Sequence, residues 1–521
     1  MDGRATALVL AILATAAGAA GQSEHRHALP EKLGKVSFAT SCKPSVQERF
    51  ERGVALLHSF AYSRAQQQFA EVSKADPDCA MAHWGAAMSY YRQLWEPRIA
   101  ANDLARGAEE IRKAEALGNV SGREAGFIRA LEGFYRDRAS LPQAKREQAY
   151  LEGMKRVAEG EKADVEAQAF YALALLSTAS SADPGRRNQR AAAAILEPLV
   201  SAYPEHPGVA HYLIHACDSP EMARTGLPAA RAYAKIAPAA PHALHMPSHI
   251  FTLLGLWEDS IRSNQAARRA AHEQDDAGEE LHAMDYLEYA YLQAAEYESA
   301  RKLSEELHAM AALDRRDFKI GYAATAIPAR YAVERRDWAG AAALTVHRES
   351  LPQVTAIAYW GRTIGLARGG NPGAAESEVE QLGRCLEKVR AQVDDYWAAQ
   401  VEIQIAEANA WILGAKGQGE EALQLMRLAA DKEDQLLKRP ITPGAIVPAR
   451  EQLGDLLLEL EQPGPALNEF ETALEKAPGR RGALAGASKA AERAGNGPKA
   501  RQQYKAQLCS PGFSGRWREG P

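Results

Sequence analysis

A 34-residue spacing recurs along this chain, and it limits the possible folds more than any single motif does. Counted from residue 447, Leu453, Gly454, Leu457, Ala466, Phe470, Ala473 and Pro478 occupy positions 7, 8, 11, 20, 24, 27 and 32. Counted from 481, Leu484, Ala487, Ser488, Ala491, Ala500 and Tyr504 occupy positions 4, 7, 8, 11, 20 and 24. Near the other end, from 46, Gly53, Leu56, Ala65, Phe69, Val72 and Pro77 occupy positions 8, 11, 20, 24, 27 and 32. Alternating β-branched runs are absent, and Ala, Leu, Glu, Arg and Gln dominate, so both halves of each unit read as helix. Small residues at positions 8 and 20 let two antiparallel helices approach closely. Large apolar residues fill the space between them, and Pro at 32 ends the second helix. One such hairpin cannot bury its own face, so neighbouring hairpins must stack.

This small, large and Pro pattern resembles the tetratricopeptide repeat (TPR) family. The resemblance implies an all-α, right-handed superhelical solenoid of helix hairpins with a concave groove, and a peptide or protein partner in that groove. Units from 173, 207, 241, 281 and 403 keep the phase less regularly, whereas 97–165 and 310–400 are helical with weak register. HYLIHACDSP, HALHMPSHIF and DYLEYAYLQ also resemble segments of a group of exported bacterial TPR proteins, over roughly 205–295 and 38–95. That likeness supplies no activity.

At 521 residues the chain exceeds what one compact core usually holds, which suits a repeat array or several domains. A net charge of −5 excludes a globally basic nucleic-acid binder. No apolar run is long enough for a membrane span. Residues 5–17 (ATALVLAILATAA) followed by Ala17-Gly18-Ala19 read as a signal peptide over 1–19, so export to a bacterial periplasm or beyond is expected. Residues 20–44 read as an extended segment, 45–507 as one continuous solenoid and 508–521 as a flexible tail. Export permits disulfides, and Cys42 and Cys79 are the candidate pair. Cys509 reads as unpaired. GxSxG, HExxH and P-loop patterns are absent, so a hydrolase elbow, a zincin protease and a nucleotide loop are disfavoured.

The histidines carry the functional signal. His211, His215 and Asp218 are spaced i, i+4 and i+7, and His242, His245 and His249 are spaced i, i+3 and i+7, so each trio shares one helix face. His282 and Asp285 are spaced i and i+3. In the repeat frame these eight residues fall at positions 2, 5, 9 and 12 of the first helices of three successive units. By the TPR resemblance, those positions line the concave groove. Helices about 8–10 Å apart allow imidazoles from both sides to close on an ion.

Neutral imidazoles without a thiolate suit Zn, Cu or Fe. His211, His215, His245 and His249 are the leading ligands. Asp218, His242, His282 and Asp285 are additional ligands or orienting partners. Pro247 places a helix start near 245–246, which would leave His242 on a preceding loop. A metal-free polar groove and a purely structural His–Asp network remain alternatives. The readings at this point are therefore a scaffold that grips a peptide or protein, a metal-dependent enzyme or metal-binding protein, and a pH sensor. Cys217, at a packing position, reads as a buried small hydrophobe. His83 and the aromatic group Trp84, Tyr90, Tyr91 and Trp95 read as core, and His58 as groove-facing.

Overall fold

The computed structural model describes residues 31–495, apart from 95–98, 119, 311, 393 and 440, together with 502 and 504. The expected signal peptide over 1–19, the expected tail 508–521, Cys509 and Trp95 lie outside the described residues. Among the described residues there are 24 α-helices and no strand. They run as successive antiparallel hairpins, so the chain is an all-α, TPR-like solenoid.

The packing explains the repeat. The first hairpin is Gln47–His58 with Tyr62–Ala75. Phe69 of its second helix lies against Gly53 of its first and Gly85 of the next unit. A methyl group added at Gly53 would meet the Phe69 ring at 2.7 Å. Near the other end, Phe470 lies in the same way between Gly454 and Gly486. Position 24 thus fills a slot formed by glycines at position 8 of its own unit and position 6 of the next.

The regularity slips where connections lengthen. The unit phased from 173 starts with a helix at Val165–Ser177, and a connection over 178–186 separates it from Arg187–Ala202. The first helix is displaced toward the N-terminus because the second alone keeps the phase. The extra residues near 273 extend the helix Trp257–Glu273 and a turn after it.

Residues 32–43 are non-helical, as expected of an extended segment, but they are held in place. Lys35 donates its backbone N–H to Glu205 O at 2.8 Å. Phe38 is fully buried against Phe50, Trp84 and Phe127. A disulfide joins Cys42 to Cys79, tying this segment to the start of the helix Ala80–Tyr91. Trp84 and Tyr91 are core, and Cys217 is fully buried, with burial pushing its thiol up to about 12. His83 departs from expectation. Its ring bridges Ser73 and Glu110 at a half-buried helix interface, because Glu110 offers a carboxylate 2.7 Å from Nδ1.

Distant units also touch. Trp257 donates its indole N–H to Gly479 O at 3.1 Å. Arg480, fully buried, binds Glu334 and Glu451 at 2.7 and 2.6 Å. The non-helical residues 436–439 send Lys438 to Asp218 at 3.1 Å. The histidine-bearing helices therefore lie inside contacts made by much later parts of the chain.

Candidate metal centre

Three successive first helices supply the histidines. Pro207–Ala216 begins with Pro207 at its first position and His206 as its cap, whose Nδ1 accepts from the Val209 N–H. It carries His211 and His215. The next unit is split at Met246 into Pro241–His245 and Pro247–Leu253, since Pro247 has no N–H to continue the ladder. Met246 nevertheless keeps helical angles (φ −53°, ψ −35°), so His242, His245 and His249 stay on one face. His242 thus belongs to a helix, which corrects its expected place on a loop. Ala277–Gln293 supplies His282.

The six rings form one buried array. Their exposures run from 0 to 8%, so they do not line an open, wet groove as the repeat frame suggests. The structure groups them as two triplets, His211, His215 and His242, and His245, His249 and His282. Within each triplet the potential ligand atoms lie within 4.8 Å of one another. The expected quartet of His211, His215, His245 and His249 is divided between them. The triplets adjoin, with ring centroids 6.1 Å apart for His215–His249 and for His242–His245. Phe60 packs on all three rings of the first triplet, and Tyr286 on all three of the second.

Hydrogen bonds at the outer nitrogens fix where the inner lone pairs point. His211 Nδ1 lies 2.6 Å from the His58 carbonyl oxygen, which admits only a donor. His242 Nδ1 lies 3.2 Å from Glu279. His245 Nδ1 lies 2.7 Å from Asn264 Oδ1, and the Asn264 amide N–H donates to Ser260 O, which fixes that side chain's orientation. His249 Nδ1 lies 3.0 Å from Asp218. Burial would raise both carboxyls, but Lys438 and His249 hold Asp218 well below the usual range, and Lys319 and His242 do so for Glu279. Ionised carboxylates also admit only donors.

These acceptors place a proton on Nδ1 of all four rings, so each ring in its neutral form leaves Nε2 without one. Yet His211 Nε2 faces His242 Nε2 at 3.1 Å, and His245 Nε2 faces His249 Nε2 at 3.0 Å. In neutral imidazoles these are opposed lone pairs, which repel unless a cation sits between them. Between His245 and His249 a proton is disfavoured. Burial pushes His211 and His245 well below their usual value, and His249 downward despite Asp218. His215 is buried with no hydrogen-bond partner at either ring nitrogen, and its basicity is likewise pushed well down by burial.

A second cluster, His58, Glu166 and His206, has the opposite character. Glu166 accepts from both rings, at 2.8 and 2.9 Å. His58 Nδ1 is left to accept from the Tyr212 hydroxyl at 2.9 Å. Donors and acceptors match throughout, so this cluster is a satisfied structural network with no need of a cation. His58 itself is fully buried and faces no groove.

Asp285 is engaged elsewhere, by Arg330 at 2.6 Å, and burial raises its carboxyl in spite of that partner. Several partners escaped the sequence reading. Asn264 had a signal, since it occupies position 24 of its unit, where other units place Phe69 or Phe470. Glu279 stands three residues before His282 on the same helix. Lys438 has no local signal, being 220 residues from Asp218.

No family model and no curated protein matches the chain. Solved structures similar to it include the following three. The human IFIT1 dimer with m7Gppp-AAAA is 12% identical, with 82% of this chain and 89% of that chain covered and a TM-score of 0.38. The P58(IPK) TPR domain is 12% identical, with 87% and 99% covered and a TM-score of 0.20. Aspartyl phosphate phosphatase F from Bacillus subtilis is 15% identical, with 84% and 95% covered and a TM-score of 0.30. No activity is carried from these likenesses.

Proposed function

We propose that this protein binds transition-metal ions at the six-histidine array, one ion in each triplet. One observation carries the reading: two pairs of buried Nε2 atoms face each other at 3.0–3.1 Å with every outer Nδ1 already committed as a donor. An ion about 2.0–2.1 Å from each nitrogen fits between them with an N–metal–N angle of about 95°, within the range of imidazole sites. His211, His215 and His242 would hold one ion, and His245, His249 and His282 the other. Asp218, Glu279, Asn264 and the His58 carbonyl orient the rings, as partners of ligating histidines commonly do. All-imidazole donors suit zinc, copper or iron. An ion with three protein ligands keeps an open position, which Lewis-acid or redox chemistry requires.

Export to an oxidising compartment, the bacterial periplasm or beyond, belongs to the same reading. The Cys42–Cys79 disulfide supports it, because such bonds persist where thiols are not kept reduced. Elemental analysis of untagged protein purified from its native compartment tests the metal assignment. The expected result is about two ions per chain. Less than about 0.1 ion per chain after supplementation with zinc, copper and iron would overturn it.

A second reading, a peptide or protein partner, would use a different surface. A cavity of about 340 Å³ opens between later helices, lined in part by Trp338, Trp411, Arg336, Arg368 and Asp455. Cross-linking from photoreactive groups placed at Arg336 tests it. A partner captured there, and lost with Trp411→Ala, is the expected outcome, and no captured partner would sink it.

A further inference from the structure

Charge distinguishes among the ions this array can hold. None of the six inward-facing groups is a carboxylate or a thiolate. Two carboxylates that touch the array, Asp218 and Glu279, meet outer Nδ1 atoms. Each is matched by a lysine, Lys438 on Asp218 at 3.1 Å and Lys319 on Glu279 at 2.6 Å. Asp285 is matched by Arg330. Glu166, which contacts the ring of His58 (the residue whose backbone carbonyl receives His211), is held between His58 and His206. The carboxylates thus orient the rings, while the cations beside them cancel the charge those carboxylates would lend to a bound ion.

Proximity sharpens the point. Rings of opposite triplets approach to 6.1 Å at two places, and Phe60 and Tyr286 cover the triplets with apolar surface. The penalty for moving an ion out of water grows with the square of its charge, so a divalent ion costs roughly four times as much as a monovalent one of the same size. Repulsion between two neighbouring ions grows in the same proportion, roughly fourfold. Among the described residues, neither triplet contains an anionic ligand to offset either effect.

Resting on the metal-binding reading above, we infer that the array is built for monovalent copper, with one Cu(I) ion held by each set of three imidazoles. Imidazole is a good copper ligand, and Cu(I), with a filled d shell, is content with three donors. Lys319 and Lys438 become charge-setting residues. They pair with Asp218 and Glu279 at 3.1 and 2.6 Å, offsetting the negative charge those ring-orienting carboxylates would otherwise lend to a divalent ion.

The test uses the full chain, untagged, stripped of metal with a chelator and loaded without oxygen from equimolar Cu(I) and Zn(II). The expected product holds about two copper ions per chain, is silent in electron paramagnetic resonance and carries less than about one tenth as much zinc. Two zinc ions with copper excluded would overturn the Cu(I) inference and leave the metal-binding reading standing. Retention of neither metal would overturn both. Lys319→Met and Lys438→Met, singly and together, supply a second measurement. With helicity retained by circular dichroism, the zinc-to-copper ratio should rise at least about tenfold in the double variant. An unchanged ratio in the folded variants would overturn the charge argument.

Discussion

His245 and His249 turn their Nε2 atoms to within 3.0 Å of each other while their Nδ1 atoms donate outward, to Asn264 and Asp218. The chain alone thus aims two lone pairs at a shared point. His211 and His242 repeat the arrangement one triplet away. Because the two points belong to different side chains, they should be separable by mutation.

His245→Ala is expected to remove one bound ion and leave the other, as read by elemental analysis after equilibration with excess metal. Wild-type protein should also gain about 2.7 kcal/mol of stability when free metal is about 100 times its dissociation constant. Loss of both ions, or of neither, would contradict two separately held sites.

Asn264→Leu removes the acceptor that holds the His245 ring. Loss of such a partner typically weakens metal binding by about 10- to 100-fold. The change should appear at one of the two sites in a competition titration against a coloured chelator. Equal affinities in wild type and variant would mean that the outer acceptor does not set the ring.

Glu433 gives a pH signature remote from the histidines. Burial raises its carboxyl to about 7, with opposition from the Ala449 N–H. A buried acid with a raised value is neutral in the fold and ionised when unfolded. Its contribution is full below about pH 4.5 and is lost as pH climbs through about 7. Glu433→Gln should therefore stabilise the protein at pH 8 relative to wild type, by on the order of 3 kcal/mol, and by little at pH 4.5. Urea midpoints at the two pH values check this, and a constant difference between the proteins would refute it.

The Cys42–Cys79 bond closes a loop of 37 residues. Chain entropy assigns such a loop about 3–4 kcal/mol. Cys42→Ser with Cys79→Ser should lower the denaturation midpoint accordingly, and an unchanged midpoint would show that the docking of Phe38 alone holds the N-terminal segment.

The hairpin array was legible because its cause is local. Gly53 and Phe69 lie 16 residues apart, and their contact fixes one turn of the superhelix. The histidine phase was legible for the same reason, since i, i+3, i+4 and i+7 spacings follow from helix geometry alone. What the spacing could not convey is which rings converge. Repeat position suggested a quartet of His211, His215, His245 and His249, whereas the packing adds His242 to one pair and His282 to the other. The depth of burial was also hidden, because it depends on Phe60 and on residues near 438 that no repeat position encodes.

Lys438 reaches Asp218 from 220 residues further along the chain. During synthesis, the segment bearing all six imidazoles leaves the ribosome well before its last charge partner does. A half-made chain would therefore present these donors without the neutralising ammonium, and with a different appetite for ions. On the proposed metal-binding reading, uptake would be most selective once Lys438 has docked on Asp218, and loading would then report on completed folding.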